Sequence, residues 1–439
     1  MSRAGELSGL DRRHVWHPFT QAGTSPDPVV VREARGAVLY AEDGREFLDM
    51  ISSWWVTLHG HAHPAIAEAV ADQAARLEQV IFAGFTHAPA VRLAKRLATL
   101  LPGDLNRVFF SDDGSTAVEV ALKLAHQYWR NTGNPERRRY LSFEGGYHGD
   151  TVGAMSAGSK SGLFDHWQDL MFKVTALPFP ATWEGDLNVE EKEALSLHVL
   201  DACLDEMSGE TAALIVEPLV QGAGGMRMCR PEFLRAVAGR IKDAGILLIL
   251  DEVMTGFGRT GDMFACLKAE VTPDIICLSK GLTGGFLPMS VTVAADAVYD
   301  AFVGDALSKA FAHGHSFTAN PSGCAAALAS LDLLEKDETK ERIKMIEAVH
   351  HRRLFSLPES PRLARHRVMG TIAAVDVECR DAGYAAEVGP ILREFFMDRG
   401  LLIRPLGNVI YLLPPYCVSE DQLHRAYDAI AAAVVEVIK

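Results

Sequence analysis

Short apolar runs recur through the middle of the chain, separated by stretches in which apolar positions return with helical spacing. The runs 105–110, 140–143, 212–216, 246–250, 275–278 and 290–294 read as strands, several of them of the buried type. Helical patterns fill the gaps between them. One runs from about Thr116 to Tyr128. Another covers 188–207, with Asn188 and Glu191 at capping-box spacing. Strands separated by helices imply βαβ units and a mainly parallel sheet. A long helix with Pro321 at its start and an Ala-rich face covers 321–335. Beyond it charged helices mix with short strands at 371–377 and 409–413, and strand-like pieces stand at 29–32 and 37–41. The expected fold is α/β, with a large domain over 61–329. A smaller α+β domain is expected over 330–439, joined by the N-terminal segment 1–60.

Composition narrows the class. The chain has 439 residues, 48% hydrophobic and 23% charged, as in an ordinary globular protein. Its 43 basic and 57 acidic residues leave a net charge of −14, which argues against nucleic acid or an anionic membrane as partner. No apolar stretch approaches membrane-spanning length, and the first residues lack the apolar core of a signal peptide. The seven cysteines (203, 229, 266, 277, 324, 379 and 417) are scattered and form no CxxC pair. Buried, reduced thiols in a cytoplasmic enzyme are expected.

Two of the apolar runs deliver chemistry. The run 246–250 ends in Asp251-Glu252, and the run 275–278 ends in Ser279-Lys280-Gly281. In α/β sheets, ligands sit beyond the carboxyl ends of the strands. An amine held there can form a Schiff base with a carbonyl cofactor, and an acid can grip that cofactor's ring nitrogen. Together they are the working parts of pyridoxal phosphate chemistry. Taken singly, Lys280 fits a surface lysine equally well, and Asp251 fits a strand-end cap. Their joint placement behind two strands is what favours the functional reading.

A third segment, Ser111-Asp112-Asp113-Gly114-Ser115-Thr116, lies between a strand and a helix. Gly114 allows a tight turn. Ser115 and Thr116 offer hydroxyls and N–H groups at a helix N-terminus, where anions bind. Thr116 and Glu119 stand at capping-box spacing, and a plain helix cap is the commoner use of such residues. In Gly145-Gly146-Tyr147-His148-Gly149-Asp150, Tyr147 can stack on a flat ring, while His148 alone reads as structural. Gly256–Gly261 fits GxGxxG, but Asp251–Thr255 separate it from the strand, so a nicotinamide site ranks below pyridoxal phosphate. His59, His61 and His63 form HxHxH without a completing cysteine or carboxylate pair, so structural histidines and no metal are expected.

The segments ILLILDEVMTGFGRTG, PDIICLSKGLTGGFLP and HGHSFTANPSGCAAAL resemble the class III (ω-type) aminotransferases of pyridoxal-phosphate fold type I. The similarity runs over nearly the whole chain. HVWHPFTQ, ISSWWVTLHGHAHP, VEVALKLAHQYW, SFEGGYHGDT and LIRPLGNVIYLLPPY are similar to the branch that aminates 8-amino-7-oxononanoate in biotin synthesis, with S-adenosylmethionine as usual donor. The resemblance implies Lys280 as the Schiff-base lysine and Asp251 on the pyridine nitrogen. It puts Gly114, Ser115 and Thr116 on the phosphate and Tyr147 on the ring. Ser316 would bind the phosphate of a neighbouring subunit, which implies a homodimer. Trp54 and Trp55 would form an aromatic substrate wall, and Arg404 would pair with the substrate carboxylate. Three positions depart from the family pattern: Phe19 replaces a tyrosine, His315 a proline and Leu406 an aromatic. Each is expected to line the site and to bear on the donor, with lysine or another diamine as the alternative. Two rival functions are an ω-aminotransferase acting on 4-aminobutyrate, ornithine or simple amines, and a nucleotide-binding regulatory protein.

Overall fold

The structure is a computed structural model that describes residues 3–158 and 163–438. A seven-stranded sheet lies at its centre, in the order Leu105–Ser111, Ser290–Ala295, Ile275–Leu278, Leu247–Asp251, Thr211–Val216, Arg139–Phe143 and Thr175–Leu177. Ser290–Ala295 runs antiparallel to both neighbours, and the other pairings are parallel. The sheet is mainly parallel, as the alternating pattern implies.

The central strands are apolar at nearly every position because both faces are covered. Leu214, Val216, Leu248, Leu250, Ile276 and Leu278 join one core. Their neighbours Ala213, Ile215, Leu247, Ile249, Ile275 and Cys277 point to a second core on the other face. Helix Gly114–Asn131 closes that second face with Ala117, Val118, Ala121 and Leu124, while Pro231–Asp243 closes the first with Phe233, Leu234 and Val237.

Two smaller sheets come from the ends of the chain. In one, Val31–Arg35, Val38–Ala41 and Glu46–Asp49 are joined by Leu401–Leu402, which pairs in parallel with the third. In the other, Leu363–Met369, Ile372–Val377 and Val409–Leu412 run antiparallel. The first strand begins later than its sequence pattern suggests. It folds back on Val38–Ala41, with Arg35 opposite Val38 across a turn in which Gly36 has φ 57°.

Both capping-box expectations need correction. Helix Val189–Glu206 starts after Asn188, but the Asn188 side chain makes no cap bond. Its backbone (φ −108°, ψ 12°) is not in the extended conformation that aims a cap at the N-terminal amides. The helix after Ser111 begins at Gly114, so its cap is Asp113 and not Thr116. Thr116 N–H donates to Asp113 Oδ1 at 3.0 Å, and Thr116 Oγ1 accepts from Asp113 N–H at 3.0 Å. Glu119 is freed for another task, accepting from Gly153 N–H at 2.6 Å and tying the next helix to this one.

Candidate active site

The parallel register brings three strand ends to one edge. Asp251 lies opposite Cys277, and Leu250 lies opposite Val216. Asp251, Lys280 and Glu217 therefore leave the sheet side by side. All three line a cavity of about 430 Å³, with Tyr147 and His148 arriving from the loop after Arg139–Phe143. The chain turns sharply at Lys280 (φ 47°), a conformation a non-glycine residue holds only when its surroundings enforce it. Its Nζ lies 5.0 Å from the Trp55 ring centroid.

Hydrogen bonds fix the acids. His148 Nδ1 donates to Asp251 Oδ2 at 2.8 Å, and Val253 N–H donates to Oδ1 at 3.1 Å. Glu217 accepts from Tyr147 N–H and Gly222 N–H, each at 2.9 Å. Burial acts to lower the His148 pKa, but the Asp251 hydrogen bond and the charges of Asp251 and Glu217 outweigh it, and the pKa is raised. Burial pushes Glu217 up to about 7, with His148 opposing the rise and Asp251 adding to it. Burial also lowers the Lys280 pKa, against the charges of Asp251 and Glu217. A lowered pKa enlarges the share of neutral amine, the form that acts as nucleophile and base.

At its other end the cavity meets the start of helix Gly114–Asn131, lined by Asp112, Asp113, Gly114 and Ser115. Glycine is required at Gly114, where a Cβ would come within 2.7 Å of Val253 Cγ1. At Gly149 (φ 124°) a Cβ would lie 2.2 Å from Ser115 Oγ. That close approach lets Asp150 N–H donate to Ser115 Oγ at 3.1 Å, which leaves the hydroxyl proton free to donate onward. An anion end, an aromatic ring at Tyr147, a fixed carboxylate at Asp251 and an amine at Lys280 match the parts of pyridoxal phosphate. The residues present fit that cofactor.

The remaining expected site residues fall in different places. Thr116 does not line the cavity, and its hydroxyl is committed to the cap, donating to Asp113 C=O at 2.8 Å. Trp55 lines the cavity and donates from Nε1 to Tyr411 Oη at 2.9 Å. Trp54 turns away into a second cluster. Its ring centroid lies 5.6 Å from that of Phe19 and 5.1 Å from the Arg404 guanidinium, and Phe19 also meets Tyr384 at 6.3 Å. Leu406 borders a neighbouring cavity with Tyr384. Ser316 is exposed and outside the Lys280 cavity. His315 also lies outside it and binds Asp112 instead, Nδ1 to Oδ2 at 2.8 Å.

Strain separates the two tryptophans. Ser52, Ser53 and Trp55 all have positive φ, at 52°, 62° and 66°. Buried Asp49 holds this segment by accepting from Ile51 N–H at 3.0 Å and Ser53 N–H at 2.6 Å. Asp49 also takes His61 Nε2 at 2.8 Å, while His59 Nε2 pairs with Ser330 Oγ at 3.0 Å, so these two histidines of HxHxH are tied to different partners. Among the described residues no group of three side chains is placed to hold a metal ion. The Gly256–Gly261 loop instead presents Arg259, fully buried, to Pro414 C=O at 2.9 Å.

The sequence pattern missed Glu217, Asp112 and Tyr384. Glu217 carried a usable signal, since it ends an apolar strand as Asp251 does. Tyr384 carried none, because it lies in an irregular segment.

Comparison with known proteins agrees with this geometry. The class-III aminotransferase family model matches residues 19–434. The adenosylmethionine-8-amino-7-oxononanoate aminotransferase of Synechococcus elongatus is 54% identical over 97% of this chain and 99% of its own. The crystal structure of the enzyme of that name from Methanocaldococcus jannaschii superposes with a TM-score of 0.91, at 34% identity over 98% of this chain and 99% of that one. An amine transaminase from an uncultivated Pseudomonas species, solved in its pyridoxal-phosphate-bound form, gives a TM-score of 0.88 at 31% identity, covering 96% and 98%. With the acid, the amine and the anion end on one sheet edge, and with a match spanning nearly all of its length, the chain belongs to the class-III aminotransferases.

Proposed function

We propose that this enzyme aminates the keto carbon of 8-amino-7-oxononanoate to give 7,8-diaminononanoate, a step of biotin synthesis, with S-adenosylmethionine as donor. The observation that carries the reading is the near-full-length likeness to the Synechococcus enzyme, whose name states both substrates. Pyridoxal phosphate supplies a carbonyl that exchanges amino groups and a ring that takes up the electron pair released at a substrate carbon. Lys280, whose pKa burial lowers, takes a proton at the reacting carbon and returns it. Asp251, oriented by His148 and Val253, holds a proton on the ring nitrogen. The Tyr147 side chain, on the cavity wall, covers the ring face. Ser115 and the first amides of its helix bind the phosphate.

Arg404 is the candidate carboxylate receptor. Among the described residues it forms no ion pair, and its guanidinium is braced on Trp54 beside Phe19. Purified enzyme should form 7,8-diaminononanoate from 8-amino-7-oxononanoate and S-adenosylmethionine. In Arg404→Ala the acceptor KM should rise about 30-fold or more, the lower end of the ~2–5 kcal/mol lost with a hydrogen-bonded charge pair. Turnover of lysine with none of S-adenosylmethionine reassigns the donor, and an unchanged acceptor KM moves the carboxylate site elsewhere.

The active form is a homodimer in which Ser316 serves the partner's phosphate. Ile81, Phe85 and Phe317 are 65%, 63% and 61% exposed, an apolar face near the Ser316 loop that a second copy can cover. Gln79 Nε2 donates to Ser316 C=O at 3.1 Å and links the two segments. Mixing Lys280→Ala with Ser316→Ala subunits tests the exchange. In a mixed dimer one site carries both defects and the other carries neither, so activity should exceed that of either variant alone. Full activity in a monomeric sample rules the arrangement out.

A further inference from the structure

Asp112 sits at the anion end of the cavity, next to the cap residue Asp113 and the first helical residues Gly114 and Ser115. A free carboxylate in that position repels a phosphate. Asp112 is not free: His315 Nδ1 binds its Oδ2 at 2.8 Å, across 203 residues of chain. The His315 side chain is mostly buried and is held from two sides. Its own loop is closed by His315 N–H donating to Thr318 Oγ1 at 2.9 Å, and Thr318 N–H donating back to His315 C=O at 3.2 Å. Behind it the His313 ring lies 5.1 Å away, and Lys123 Nζ donates to His313 Nδ1 at 2.9 Å. With Nδ1 accepting, a neutral His313 carries its proton on Nε2, which is buried without a partner. Burial, then Lys123 and His315, lower the His313 pKa, which disfavours a positive charge beside the His315–Asp112 pair.

We infer that His315 is a positioning residue for the cofactor's phosphate, clasping the Asp112 carboxylate in a hydrogen bond that keeps it from turning toward the anion end of the cavity. This assigns His315 to cofactor retention and removes it from the substrate pocket. The inference rests on the pyridoxal phosphate reading of the cavity and on nothing about the donor. Hydrogen bonds to carboxylates are the stronger kind, and losing the donor leaves the carboxylate without that partner.

The test is equilibrium dialysis of the holoenzyme against falling pyridoxal phosphate, read by the visible absorption band. In His315→Ala the cofactor Kd should rise about tenfold. His315→Asn, whose side-chain amide can replace the Nδ1 donor, should stay within about threefold of wild type. In an Asp112→Asn background, His315→Ala should add little, because the charge that His315 restrains is gone. At saturating cofactor the acceptor KM of His315→Ala should not move. A wild-type Kd in His315→Ala overturns the inference. So does a His315→Ala penalty that persists undiminished in the Asp112→Asn background, or a raised acceptor KM with unaltered cofactor Kd. Absence of a visible band in the wild type is a different failure, that of the cofactor reading itself.

Discussion

Lys280→Ala is expected to lose transamination by about 10²–10⁴-fold while keeping its fold, because the proposed proton carrier is removed from a site whose walls remain. Lys280 is the amine at the sheet edge, beside Asp251 and Glu217, and its Nζ rests against the Trp55 ring. That ring contact is the packing the ammonium makes. Among the described residues Lys280 forms no ion pair, burial lowers its pKa, and its backbone is strained at φ 47°. Removing a costly buried amine should leave thermal stability of the cofactor-free protein unchanged or raised. Single-turnover rates and thermal midpoints check both halves. Borohydride reduction of the wild type followed by peptide mapping should place the cofactor label on Lys280. A label on another lysine, or turnover within tenfold of wild type, moves the chemistry to a different residue.

Asp251→Asn is expected to slow turnover by about 10²–10³-fold while the protein still binds pyridoxal phosphate, since a preorganised charge at the reacting ring is lost without a change of shape. Asparagine can still accept from His148, but it carries no charge. The Asp251 hydrogen bond and charge are also among the causes that keep the His148 pKa raised against burial, so His148 should lose its proton at lower pH in the variant. Half-reaction rates with a saturating donor, alongside the cofactor Kd, separate the two effects. Near-normal rates would falsify the assignment of Asp251 as the ring's proton holder. A parallel loss of cofactor would make it a binding residue first.

Much of this site was legible because its central signal is local. A run of apolar residues cut short by a charge marks where a buried strand reaches the surface. That rule found Asp251 and Lys280, and applied once more it finds Glu217 at the end of Thr211–Val216. The helix after Ser111 was legible in kind but not in register. Asp112, Asp113, Ser115 and Thr116 are all suitable cap residues, and the folded chain uses Asp113, with Gly114 packed closely on Val253.

The sequence by itself determined the α/β class, the mainly parallel sheet, the acid and amine at its carboxyl edge, and a helix start after Ser111. All of these follow from periodicity and from short-range chemistry. Tertiary structure decided which groups complete them. His148 reaches Asp251 across 103 residues, and Glu217 takes amides from Tyr147 and Gly222. Trp54 and Trp55, adjacent in the chain, are sent to different clusters by positive-φ backbone that Asp49 holds in place. His315, expected to line the site where the family pattern has a proline, binds Asp112. The reason is common to these cases. In a strained loop the side-chain direction has no period to read, and it is set by hydrogen bonds to residues that only the folded chain brings near.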